Sequence, residues 1–155
     1  MRCPVNFVAV TQEKTNFHNG LDMGFYSKSH HNQPIMSADD GEVIYFKKQI
    51  RGGYTIKIKH SNNIVTTYGH LLKNSQTVKV GMKVKMGEMI ARMGKSGIVT
   101  GEHLHFSIQK NGKYSGVKEL FVYIALCQAL LDTYHTGHYY YDSGRCDGCG
   151  YCLVA

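Results

Sequence analysis

Nine of the 155 residues are histidines, and several stand where spacing could make them reactive. His103-Leu104-His105 sets two imidazoles about one leucine. On a strand, residues i and i+2 point to the same side, so both rings face one way while Leu104 points into the core. His70 closes another alternating run, just after Tyr68 and Gly69. His18 and Asp22 lie four residues apart, and Gly20 between them permits a tight bend that lets imidazole and carboxylate converge without a helix. Two histidines plus a carboxylate suit zinc, with a fourth position left for water. Zinc can lower the pKa of that water from ~15.7 toward ~7 and polarise a carbonyl. Two further histidines would then supply proton transfer and stabilise charge on a tetrahedral intermediate. On spacing alone the metal stays open, because H-x-H also admits copper, iron or no metal, and any single histidine is ordinarily a surface or hydrogen-bonded residue.

Such side chains need rigid elements to hold them. From about residue 34 to 108 the chain is a series of short alternating runs punctuated by glycine. Gly41 to Phe46 reads as a strand leaving a turn. Tyr54 to His60 alternates, with Ile56 and Ile58 on one face and lysines on the other. Ser61-Asn62-Asn63 is a turn signal, and Ile64 to Leu71 completes a hairpin. A six-residue echo follows, Lys79-Val80-Gly81-Met82-Lys83-Val84 answered by Lys85-Met86-Gly87-Glu88-Met89-Ile90, which suits short strands that each follow a glycine turn. His103 to Gln109 is a further strand, closed by Asn111-Gly112, a favoured two-residue hairpin turn. After Gly116 apolar residues fall at helical spacings, which predicts a helix over 117–132. The residues from Tyr134 onward read as an irregular tail. The expected architecture is mainly β, built of short strands over residues 1–113, with a C-terminal extension over 114–155.

Composition narrows the function classes. Hydrophobic residues make up 43%, with seventeen glycines, eleven tyrosines and two prolines, a turn-rich β composition with enough apolar matter for a core. The formal net charge of +7 favours anionic partners, among them the polymers of a bacterial wall. The basic residues mostly alternate with apolar ones, as on the solvated face of strands. No recognition helix or RNA-binding signature is visible, so nucleic acid is not the expected partner. The apolar stretch at 121–131 is too short and mixed to span a bilayer. No charged-then-apolar leader opens the sequence, so a cleavable signal peptide is not expected. Action on a wall would then require a virion, a lysis pore or a longer precursor. Five cysteines, at 3, 127, 146, 149 and 152, are an odd number and cannot all pair within the chain. Cys146-x-x-Cys149-x-x-Cys152 could bind a second metal with His135 or His138, but lacks a second C-x-x-C pair; a disulfide or free thiols are the expected state.

Taken in order, these motifs resemble the lysostaphin-type, LytM-like zinc metalloendopeptidases of bacterial cell-wall lysis. His18-x-Gly20-x-Asp22 is similar to the family's H-x-G-x-D. Pro34 to Val43 is similar to its P-V-x-A-x-x-D-G-x-V strand, and Tyr68-Gly69-His70-Leu71 to its Y-x-H-L. The echo matches V-x-x-G-x-x-V-x-x-G-x-x-I. The run from Gly94 to Phe106 is similar to G-x-T-G-x-S-x-G-x-H-L-H-F. The resemblance covers roughly residues 16–112. It implies His18, Asp22 and His105 as zinc ligands, His103 as general base, and His70 as its assistant and steadier of the oxyanion. It implies a small antiparallel β-sandwich with a groove across one sheet, and the peptide part of peptidoglycan as substrate. Ser107 stands where an acidic or amide residue is common. The segment 27–33, with His30 and His31, is longer than usual and reads as an exposed loop. Met82, Met86, Met89 and Met93 read as core filler. Two other functions share parts of the pattern. A biotinyl- or lipoyl-type carrier has the duplicated strands but no use for the five polar residues together. A non-catalytic wall-binding or phage-tail module could keep the fold, with residues 114–155 meeting a virion partner.

Overall fold

A computed structural model describes residues 1–5, 9–12, 15–24, 31–115, 140–141 and 153–154. The strands, in chain order, are β1 (Ala9–Gln12), β2 (Leu21–Gly24), β3 (Pro34–Met36), β4 (Gly41–Gln49), β5 (Gly53–Lys59), β6 (Ile64–Leu71), β7 (Lys83–Val84), β8 (Met89–Arg92), β9 (Leu104–Lys110), β10 (Lys113–Tyr114), β11 (Tyr140–Tyr141) and β12 (Leu153–Val154). Seven of them form one antiparallel sheet in the order β1-β2-β9-β6-β5-β4-β7, with β10 added beside β9. β3 and β8 form a second, two-stranded sheet, and β11 pairs with β12. No helix of the described residues is long and apolar enough to cross a membrane.

Period-two alternation decides what each face of the large sheet carries. Ile56, Ile58, Tyr68, Leu104, Phe106 and Ile108 all point to one side and share a core with Ile35, Ile90 and Ala91 from the small sheet. The two sheets therefore close a sandwich of short antiparallel strands, as the family resemblance implies. The opposite face of β2, β9 and β6 is left to polar residues. Asp22, His105 and Gly69 are direct cross-strand neighbours there. Asn111 and Gly112 both take positive φ, 53° and 76°, in the expected hairpin between β9 and β10. Met93 is fully buried as expected, but Met82 and Met86 are 40% and 51% exposed. The glycine turns of the echo stand at the rim of the sandwich, where β7 supplies only Val84 to the core. The predicted helix over 117–132 lies outside the described residues, as do Cys127, Cys146, Cys149 and Cys152.

One polar chain crosses this core. His60 Nδ1 lies 2.8 Å from the Asp40 carbonyl oxygen and Nε2 lies 2.7 Å from Thr66 Oγ1. Thr66 Oγ1 is 3.1 Å from the Tyr68 hydroxyl, which accepts the Ala38 N–H at 2.9 Å. A neutral His60 donates its Nδ1–H to the Asp40 carbonyl and keeps Nε2 within hydrogen-bond reach of Thr66 Oγ1. Burial holds the His60 pKa below the ordinary 6.5, against the opposing pull of the Asp40 carbonyl. The unfolded chain then binds the proton first as pH falls, so stability present above pH 6.5 is lost as pH drops through the folded-state value. Metal-free protein should show a falling melting temperature between ~pH 7 and ~pH 5, and His60→Gln should flatten that slope. Equal slopes in the two proteins would refute the assignment.

Candidate metal centre

Asp22 enters the open face from β2, opposite His105 on β9. His18 precedes β2 in a turn that Thr15 organises. The Thr15 Oγ1 accepts the N–H groups of Phe17 and His18 at 3.2 and 3.1 Å, and the Thr15 N–H donates to the His18 carbonyl at 2.9 Å. Gly20 lets this turn lie flat on β9: a Cβ there would sit 2.5 Å from the Phe106 oxygen and 2.7 Å from His105 Cε1. Phe17 beside it is fully exposed.

The result is a triangle of three donor atoms. His18 Nε2 is 3.0 Å from Asp22 Oδ1 and 3.1 Å from His105 Nδ1, and His105 Nδ1 is 2.8 Å from the same Asp22 oxygen. A tetrahedral zinc with arms of ~2.1 Å has ligand atoms ~3.4 Å apart. The triangle is a few tenths of an ångström tighter and of the same shape, and its two nitrogens and one carboxylate oxygen are donors that zinc favours. The three residues therefore fit such an ion. They are also the one cluster of three or more metal-ligating side chains among the described residues. Burial works against charge on Asp22. The hydrogen bond with His105 and the nearby imidazoles of His103, His105 and His18 outweigh it and hold the carboxyl below its ordinary 3.8, so the ligand is anionic at neutral pH.

His70 and His103 stand next to the triangle. Their ring centroids are 4.7 Å apart, and His70 lies 6.0 Å from the ring of His105. His103 Nε2 comes within 3.5 Å of Asp22 Oδ2. One loop, residues 94–103, fixes both rings. The His103 Nδ1–H donates to the Gly101 carbonyl at 3.0 Å, and the His70 Nδ1–H to the Ser96 carbonyl at 2.9 Å. With both Nδ1 protons so committed, each ring presents an Nε2 lone pair. His70 reaches this pose through a left-handed backbone, φ 59°, held by its N–H on the Gly52 carbonyl at 2.8 Å. That conformation is uncommon for a residue with a Cβ, and such strain clusters at functional sites. Burial, with the charges of His103 and His105, keeps the His70 pKa below 6.5 against the raising effect of the Ser96 carbonyl and Asp22, so the ring is neutral at physiological pH.

The five polar residues singled out in the sequence are thus brought together. Sequence reasoning missed their supports, Thr15, Gly52, Ser96 and Gly101. The 27–33 segment reads as an exposed loop, and His31 and Asn32 are exposed as expected. Residues 27–30 lie outside the described set, but Gln33 is buried, and its carbonyl accepts the Met93 N–H at 2.9 Å. His31 Nδ1 and the Asn32 N–H both meet the Glu102 carboxylate, at 2.8 and 2.5 Å. Glu102 immediately precedes His103, so this contact ties the 31–33 segment to the edge of the site.

Residues 16–116 match the model of peptidase family M23. An uncharacterized metalloprotease of Buchnera aphidicola is 35% identical over 117 residues, 76% of this chain and 29% of that protein. Peptidoglycan DD-endopeptidase ShyC of Vibrio cholerae is 42% identical over 80 residues, 51% of this chain and 18% of that protein. The chain thus spans less than a third of these relatives. A zinc-containing peptidase from Vibrio cholerae, known as a crystal structure, superposes with a TM-score of 0.63 at 30% identity, covering 72% of this chain and 37% of the other. The catalytic domain of lysostaphin from Staphylococcus simulans shares the fold with a TM-score of 0.60 at 22% identity, covering 76% and 90%.

Proposed function

The chain belongs to peptidase family M23, and on that premise we propose that it is a zinc-dependent endopeptidase that hydrolyses peptide bonds in the cross-links or stem peptides of bacterial peptidoglycan. His18, Asp22 and His105 would hold the ion. When bound there, zinc supplies an acidified water and a Lewis acid for the scissile carbonyl. His103 acts as general base: its Nε2 takes a proton from the attacking water and returns it to the leaving amine. His70 assists. Its Nε2 lone pair accepts a hydrogen bond from the second proton of the same water, and that shared proton stays between His70 and the developing oxyanion.

The observation that carries this reading is the 2.8–3.1 Å donor triangle with two imidazoles beside it. Relatives named peptidoglycan DD-endopeptidases support the substrate class, and the +7 charge suits an anionic wall. Action on such a substrate lies outside the cytoplasm, as the lipoprotein names of two relatives also favour. We divide the chain into a peptidase domain, 1–113, and an extension, 114–155, a division that the end of the family match at residue 116 supports.

Purified protein should carry about one zinc per chain. It should release new amino groups from isolated peptidoglycan, lose this activity on chelation and regain it with zinc. Folded, zinc-loaded protein that releases no amines from the walls of a broad panel of bacteria would overturn the enzymatic reading.

A further inference from the structure

Ser96 makes three hydrogen bonds, and each ends on an element that carries or flanks His70. Its hydroxyl donates to the Leu71 carbonyl at 2.6 Å and accepts the Tyr54 N–H at 2.9 Å. Its own carbonyl accepts the His70 Nδ1–H at 2.9 Å. Tyr54 and Leu71 are register partners at the end of the β5–β6 ladder. The hydroxyl is therefore inserted in series between an N–H and a C=O that stand opposite each other in that ladder. The register shifts at the same place, between Tyr54 and Ile56. The insertion holds the end of the sheet open at the point where His70 turns left-handed and hands its N–H to Gly52 instead of to a strand.

The surroundings are built for this contact. A Cβ at Gly53, where φ is 61°, would overlap Ser96 Oγ and the Ser96 carbonyl group. A Cβ at Gly97, where φ is 85°, would overlap the Arg51 oxygen, and the Ile98 N–H donates to that same Arg51 carbonyl at 3.0 Å. Two glycines thus clear the way for the 96–98 segment to lie directly on the 51–53 turn, and the hydroxyl locks it there. Both the acceptor that fixes the His70 tautomer and the backbone that aims the ring depend on one side chain that touches no metal ligand in any of these bonds.

We propose that Ser96 is the positioning residue of His70: its hydroxyl, spliced into the β5–β6 ladder, fixes the peptide whose carbonyl holds the His70 Nδ1 proton and so points Nε2 into the site. The proposal rests on the peptidase reading for its effect on turnover, but not for its effect on the ring. In Ser96→Ala, Tyr54 N–H and Leu71 C=O lose their shared partner, and the 96 carbonyl is no longer held against His70.

Two readouts test this. With peptidoglycan as substrate, Ser96→Ala should lose roughly 10–100-fold in kcat, the order found when groups that orient metal-ligating histidines are removed, with KM and zinc content unchanged. Ser96→Thr, which keeps the hydroxyl, should restore most of the loss. In zinc-loaded protein at ~pH 8, above the ordinary histidine range, nitrogen NMR of His70 should show the pure Nδ1–H form in wild type and Ser96→Thr. Ser96→Ala should show a mixture of tautomers. If Ser96→Ala does not fold, Ser96→Cys, whose thiol is a weak donor, is read in the same way. Wild-type His70 signals in the folded Ala or Cys variant overturn the proposal whatever the activity. A wild type without activity defeats the peptidase reading, while the NMR comparison still decides the role of Ser96.

Discussion

His105→Ala should lose both zinc and turnover. His105 contributes Nδ1 to the donor triangle and is the hydrogen-bond partner that helps to keep Asp22 ionised. Removing it leaves two donors, His18 Nε2 and Asp22 Oδ1, 3.0 Å apart. A site of three protein ligands that binds zinc with ~10–16 kcal/mol gives up roughly 3–5 kcal/mol per ligand, or at least ~10² in affinity. At trace zinc the variant should purify nearly metal-free, and its amine release from peptidoglycan should fall to the uncatalysed level. The fold should survive. His105 lies on the open face, whereas its strand neighbours Leu104 and Phe106 fill the core, so the metal-free melting temperatures of the variant and wild type should agree within a few degrees. Competition with a chromophoric chelator measures the affinity directly. A variant that holds zinc as tightly as wild type would show that the triangle is not the metal site.

The structure separates what the sequence carries locally from what it does not. Strand periodicity was enough to put His103 and His105 on one face and Leu104 on the other, because i and i+2 share a face in any strand. It was also enough for the β5–β6 and β9–β10 hairpins, whose turns carry their own asparagine and glycine signals. It could not pair Asp22 with His105. That contact comes from a sheet order in which β2 joins β9 across 83 residues, and only the ordered family motifs foresaw it. The pose of His70 was hidden for a further reason. Its left-handed backbone, its Gly52 acceptor and its Ser96 acceptor lie in three separate segments, and none leaves a periodic trace. Met82 and Met86 misled because methionine in a short apolar echo looks the same whether the strand runs inside or along the rim. Gln33 misled because a polar residue in a loop is expected outside, and this one is buried.

His70→Ala separates chemistry from metal binding. His70 supplies no atom to the triangle, so the variant should keep about one zinc per chain. General acid–base groups contribute ~10²–10⁴-fold, and kcat should fall within that range with KM little changed. The backbone complicates a simple alanine comparison. Position 70 sits at φ 59°, and alanine is no better suited to that region than histidine, whereas asparagine enters it readily. His70→Asn therefore tests the side chain without added backbone strain. If both variants lose turnover equally while the zinc content holds, the imidazole itself is the missing part. If His70→Asn retained activity, the left-handed turn alone would matter and the ring would have no part in proton transfer. Loss of zinc in both would instead mean that His70 belongs with the ligands, contrary to a geometry in which its Nδ1 proton is spent on Ser96 and its ring stands 6.0 Å from that of His105.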